Sequence, residues 1–117
     1  MTGQSNHWNP FEDGKTIGKP GSENGVILED EEYAAGARIT LESGTDVAPF
    51  AITCGFYGLF FHTRFFSSEE EVRREFTEMK VELGRMVDLS SETATSDEQA
   101  SDILIAAASR FVDQFPT

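Results

Sequence analysis

Between residues 35 and 66 apolar and polar positions alternate most clearly. Over 35–42, Ala37, Ile39 and Leu41 share one face, while Arg38, Thr40 and Glu42 share the other. That period of two is the signature of a half-buried strand. Segments 50–54 and 59–66 are dense in aromatic and β-branched residues and predict two more strands. Gly55-Phe56-Tyr57-Gly58 joins them, and two glycines so close together predict a tight hairpin. A turn centred on Phe56 and Tyr57 sets Cys54 opposite Leu59, Ile52 opposite Phe61 and Phe50 opposite Thr63. In that register the core face carries Phe50, Ile52, Cys54, Leu59, Phe61 and Phe65. Thr53, Phe60, His62, Arg64 and Phe66 fall on the outer face. The assignment depends on the register, because a one-residue slip exchanges the faces of one strand relative to the other. Upstream, 26–28 reads as a short edge strand. It is ended by Glu29-Asp30-Glu31-Glu32, whose charge blunts edge-to-edge pairing.

Past residue 66 the period lengthens. Ser68 with Glu71 forms a capping box, and Glu69, Glu70 and Glu71 occupy the first turn, where the helix dipole favours negative charge. Val72, Phe76, Met79, Leu83 and Met86 recur at helical spacing and form one apolar stripe. This helix is expected to end near Asp88, with 89–95 a polar linker. A second helix is expected from Ser96, with Gln99 as its box partner. Ala100, Ile103, Leu104, Ala107, Phe111 and Phe115 line its inner side, and Pro116 stops it. The pattern predicts an α+β fold: a three- to four-stranded antiparallel β-meander followed by two C-terminal α-helices packed on one sheet face. Residues 1–24, rich in Gly, Asn, Ser, Lys and Pro, are expected to form an irregular N-terminal arm, and 25–117 a single α+β domain. Trp8 and Phe11 are the residues able to pin the arm to the body.

Composition narrows the function classes. The chain has 117 residues, enough for one self-sufficient core, and its ten phenylalanines concentrate the apolar surface. A net charge of −12 disfavours nucleic acid and anionic membranes as partners, and favours a basic protein. Cys54 is the only cysteine, which excludes an intrachain disulfide and a cysteine-based zinc site. The N-terminus lacks the basic and apolar regions of a secretory signal, and no apolar run approaches the ~20 residues of a membrane span. A cytoplasmic location is therefore expected.

No motif for catalysis, phosphate binding or metal binding stands in the chain, and no cofactor is expected. Cys54 and His62 form the one nucleophile–base pair to test, and the register above sets them on opposite faces. The group with most chemistry is Arg38, Thr40, Thr53, Phe60, His62, Arg64 and Phe66, all expected on the outer sheet face. Guanidinium groups with hydroxyls suit a carboxylate or phosphate. Exposed phenylalanines mark an interface instead. The bland reading pairs the cations with Glu42 and the 29–32 tract. The leading expectation is a non-enzymatic protein-interaction module, either self-associating as a homodimer or binding a basic protein partner as an acidic inhibitor. The alternative is a small enzyme or sensor that binds an anionic metabolite at Arg38, His62 and Arg64.

Overall fold

The computed structural model describes residues 8–33, 36–92 and 97–116, with side chains outside 90–101. It shows a five-stranded antiparallel sheet followed by two helices on one face. The strands are β1 (Trp8–Pro10), β2 (Val26–Tyr33), β3 (Ala37–Ser43), β4 (Phe50–Phe56) and β5 (Phe60–Phe66). They pair in sequence order. The helices are α1 (Glu69–Glu92) and α2 (Asp97–Gln114).

The fifth strand beyond the expected count comes from the arm. Trp8, Asn9 and Pro10 pair with Tyr33, Glu32 and Glu31. The Trp8 ring meets Tyr33 edge-on at 5.1 Å, the kind of aromatic anchor that makes a three-residue strand hold. Nor does the acidic tract end β2, which runs through it to Tyr33 as an interior strand. Alternation explains why four consecutive acids are tolerated there. They point to opposite faces in turn, and each finds its own partner. Glu29 meets Arg73, Glu31 meets Lys80 at 2.8 Å, Asp30 meets Arg38, and Glu32 accepts a hydrogen bond from the Tyr57 hydroxyl.

The helices cover the face bearing Ala37, Ile39, Leu41, Ile52, Cys54 and Phe56. Val72, Phe76, Met79, Leu83 and Met86 are buried against it, as their spacing predicts. The Glu71 N–H donates to Ser68 Oγ at 3.2 Å, forming the expected cap. Helix α1 continues to Glu92, past the expected end near Asp88. Ser96 of the expected second cap lies outside the described residues, as do the side chains of Gln99 and Ala100. On α2 the inner side is Leu104, Ala107 and Phe111, with Phe115 just beyond the helix, whereas Ile103 is exposed.

The main departure is the register of the last hairpin. β4 continues through Phe56, and the chain reverses over Tyr57, Gly58 and Leu59. Leu59 N–H donates to Phe56 O at 2.9 Å. Gly58 takes φ +80°, a conformation glycine adopts without a Cβ penalty. Cys54 therefore opposes His62, Ile52 opposes Arg64 and Thr53 opposes Thr63. The shift is odd, so β5 is turned over relative to expectation. Phe60, His62, Arg64 and Phe66 face the helices, while Phe61, Thr63 and Phe65 face outward.

The inward His62 and Arg64 side chains hold the end of α2. His62 Nε2 hydrogen-bonds with the Phe115 carbonyl. Arg64 Nε donates to the Pro116 carbonyl at 2.8 Å, and Arg64 Nη1 to Glu75 at 2.7 Å. The guanidinium also lies near the Phe66 and Phe115 rings. Cations at a helix C-terminus meet its unpaired carbonyls and the negative end of its dipole. Arg64→Ala is expected to cost roughly 1–3 kcal/mol of stability and to speed amide exchange in the last turn of α2. Unchanged exchange there would show that Arg64 is not the anchor.

Candidate functional site on the outer sheet face

Alternation along the strands assigns the outer face. β2 contributes Ile27, Asp30 and Glu32, and β3 contributes Arg38, Thr40 and Glu42. β4 contributes Ala51, Thr53 and Gly55, and β5 contributes Phe61, Thr63 and Phe65. Of the seven residues expected to share this face, only Arg38, Thr40 and Thr53 do so. Phe60, His62, Arg64 and Phe66 lie on the helix side, so Arg38 and the His62–Arg64 pair are separated by the sheet.

The N-terminal arm covers the β2–β3 half of the face. The Asp30 side chain is wholly buried and accepts four hydrogen bonds. Arg38 donates through Nε at 2.9 Å and Nη2 at 2.6 Å, Thr40 Oγ1 at 3.0 Å, and Thr16 Oγ1 from the arm at 2.8 Å. The pKa of Arg38 is raised, chiefly by its hydrogen bonds to Asp30. Its guanidinium also stacks on Phe11 of the arm, 3.7 Å from the ring centroid. Glu42, equally buried, accepts backbone N–H bonds from Glu23 and Gly25. Gly21 makes this approach possible, since a Cβ there would fall 2.2 Å from the Glu42 carboxyl carbon. Two carboxylates thus fasten the arm, one through hydroxyls and a guanidinium, the other through main-chain amides.

The β4–β5 half is open. Phe61 is 77% exposed and Phe65 37%. Gly55 supplies no side chain, and the Phe61 ring lies over it, 2.7 Å from where a Cβ would stand. Between arm and ring runs a cleft of about 470 Å³, bordered by Pro20, Ser22, Arg38, Thr53, Tyr57 and Phe61. The exposed aromatics Phe61, Phe65 and Tyr57 dominate this half. Sequence reasoning missed Phe61 and Phe65 as surface residues, because nothing in the sequence tells which glycine of the pair takes a positive φ.

Cys54 and His62, expected on opposite faces, are direct cross-strand neighbours inside the helix-covered core. Burial pushes the Cys54 thiol up to about 12, with Arg64 only partly opposing, so it stays protonated near neutrality. His62 is committed through Nε2 to Phe115. Among the described residues, no three His, Cys, Asp or Glu side chains are grouped to hold a metal ion. Among them also, no helix is long and apolar enough to cross a membrane. Comparison of the chain with models of known families, with curated proteins and with solved structures finds no match.

Two expectations follow from the buried groups. In Asp30→Asn an amide NH₂ replaces one oxygen that meets only donors, which is expected to cost roughly 1–3 kcal/mol in urea unfolding. A loss within about 0.5 kcal/mol, typical of plain surface positions, would mean that the carboxylate does not fasten the arm. The second expectation concerns alkaline pH. Burial, and then the bond to Asp88, push Tyr33 up to about 12. Tyr57, although more than a third exposed, is also pushed up to about 12, by partial desolvation and then by its bond to Glu32. Cys54 behaves the same way. The unfolded chain releases these protons nearer pH 9–10, whereas the folded chain keeps them to about 12. Unfolding therefore releases protons in that window, and stability falls as pH rises through it. Urea midpoints across the window should decline, and less steeply in Tyr33→Phe. An equal slope in that variant would remove Tyr33 from the account.

Proposed function

We propose that the protein is a non-enzymatic interaction module that docks a protein partner on the β4–β5 half of its outer sheet face. The observation that carries this reading is the exposure of Phe61, 77%, beside Phe65 and Tyr57 on an otherwise acidic molecule. Large aromatic side chains left exposed on one sheet face mark a contact site, and aromatic side chains supply much of the binding free energy in such sites. The arm leaves this half of the sheet uncovered while burying the other. The metabolite-binding alternative finds less support. Arg38 is committed to Asp30 and Phe11, and His62 and Arg64 to the end of α2.

The double variant Phe61→Asp, Phe65→Asp tests the reading. Association, whether with itself or with a partner recovered by proximity labelling in the source cell, should weaken by roughly thirtyfold or more, the loss typical of an aromatic hot spot. The melting temperature should change little, since both side chains face outward. A folded double variant with the same associations as the wild type would overturn the proposal.

A further inference from the structure

We infer that the partner on this surface is a second copy of the chain, joined by antiparallel pairing of the two β5 edges about Thr63. The inference rests on the docking reading above and names its occupant.

β5 ends the sheet, with β4 on one side only. Natural sheet edges are blunted by shortness, proline, inward charge or bulges. The opposite edge obeys this rule, because β1 is three residues long and ends in Pro10. β5 is blunted less: it runs for seven residues with no proline and no carboxylate, and its one such device is the inward Arg64, already held by Glu75 and the Pro116 carbonyl. Its sequence, Phe60-Phe61-His62-Thr63-Arg64-Phe65-Phe66, is also nearly palindromic about Thr63. A two-fold axis through Thr63 therefore sets Phe61 opposite the partner's Phe65, and Phe65 opposite the partner's Phe61, on the outer face. Thr63 faces its own copy. On the helix side, Phe60 comes opposite the partner's Phe66. Cross-strand aromatic pairs are the stabilising unit of such a ladder.

Charge points to the same edge. Two copies of a chain with net charge −12 repel over most of their surface. The 47–68 segment, which holds β4 and β5, carries no acid, and of these two strands only β5 has an edge where two copies can meet. The apolar surface also continues past the strand. Leu59 and Phe60 line a hollow of about 490 Å³ with Ile105, Val112 and, at its polar side, Asp113 of α2, and Ile105 is 56% exposed. The isologous contact closes at two copies, because the blunted β1 edge offers no second site.

The test uses the full chain with Thr63→Cys. Directly opposed residues in an antiparallel pair have Cα atoms about 4.5–5.5 Å apart, within the ~4.4–6.8 Å span of a disulfide. Mild oxidation should therefore convert Thr63→Cys to covalent dimer. Phe65→Cys stands about 14 Å from its copy in this register and should not cross-link, nor should the wild type, whose Cys54 is buried. In unmodified protein, β5 amide exchange should slow with rising concentration, in step with dimer seen by sedimentation. A dimer in which Thr63→Cys cross-links no faster than Phe65→Cys would overturn the pairing. A monomer at every concentration, with concentration-independent β5 exchange, would overturn the second copy as occupant. The docking reading would fall separately, and only if the Phe61→Asp, Phe65→Asp variant kept all its associations.

Discussion

At Gly58 the backbone takes φ +80°, and that residue sets how β5 lies beside β4. The turn spans Tyr57, Gly58 and Leu59, so β4 extends through Gly55 and Phe56 before the chain reverses. Side chains along a strand alternate strictly, and an odd displacement of the turn exchanges every side chain of β5 between the two faces. The end of α2 and the open half of the outer face both follow from this one choice. With β5 turned as it is, His62 and Arg64 meet the carbonyls beyond α2, and Phe61 and Phe65 meet solvent. The opposite choice would leave the C-terminal carbonyls without those donors.

The arm obeys a different constraint. It has little apolar surface to bury, and what draws it down is polar. Asp30 and Glu42 project from neighbouring strands onto the outer face, where each would be costly to desolvate alone. The arm satisfies them with the Thr16 hydroxyl and the amides of Glu23 and Gly25. Sheet and arm therefore depend on each other: the carboxylates need the arm's donors, and main-chain bonds of Gly18 and Lys19 with Ile27, and of Asp46 with Glu23, tie the arm down further. Phe11 under Arg38 and Trp8 against Tyr33 add the aromatic contacts at its start.

Much of the fold is legible in the sequence because periodicity is local. The α1 stripe, its Ser68 cap and the alternation of Ala37, Ile39 and Leu41 each lie within one element. The site was legible only in part, because it depends on comparing two strands. Arg38, Thr40 and Thr53 sit on β3 and β4, whose faces the alternation fixes. The assignments on β5 hang on whether Gly55 or Gly58 makes the turn, and both are glycine. What decides is tertiary. Gly55 stays extended under the Phe61 ring, while Gly58 takes the left-handed conformation. The course of β2 through four acids was hidden for a related reason. Arg73 and Lys80, which answer Glu29 and Glu31, lie on a helix more than forty positions away.

β5 thus carries two messages interleaved on one strand. Its even-numbered side chains face α2 and the core, and its odd-numbered ones face outward, where Phe61 lies over Gly55 and the Thr63 hydroxyl stands 3.4 Å from that of Thr53. Substitution at positions 61, 63 and 65 therefore alters the outer surface and its light contacts with β4, and leaves the ties between β5 and the end of α2 in place. Such a strand can change what it presents to solvent and keep the architecture beneath it.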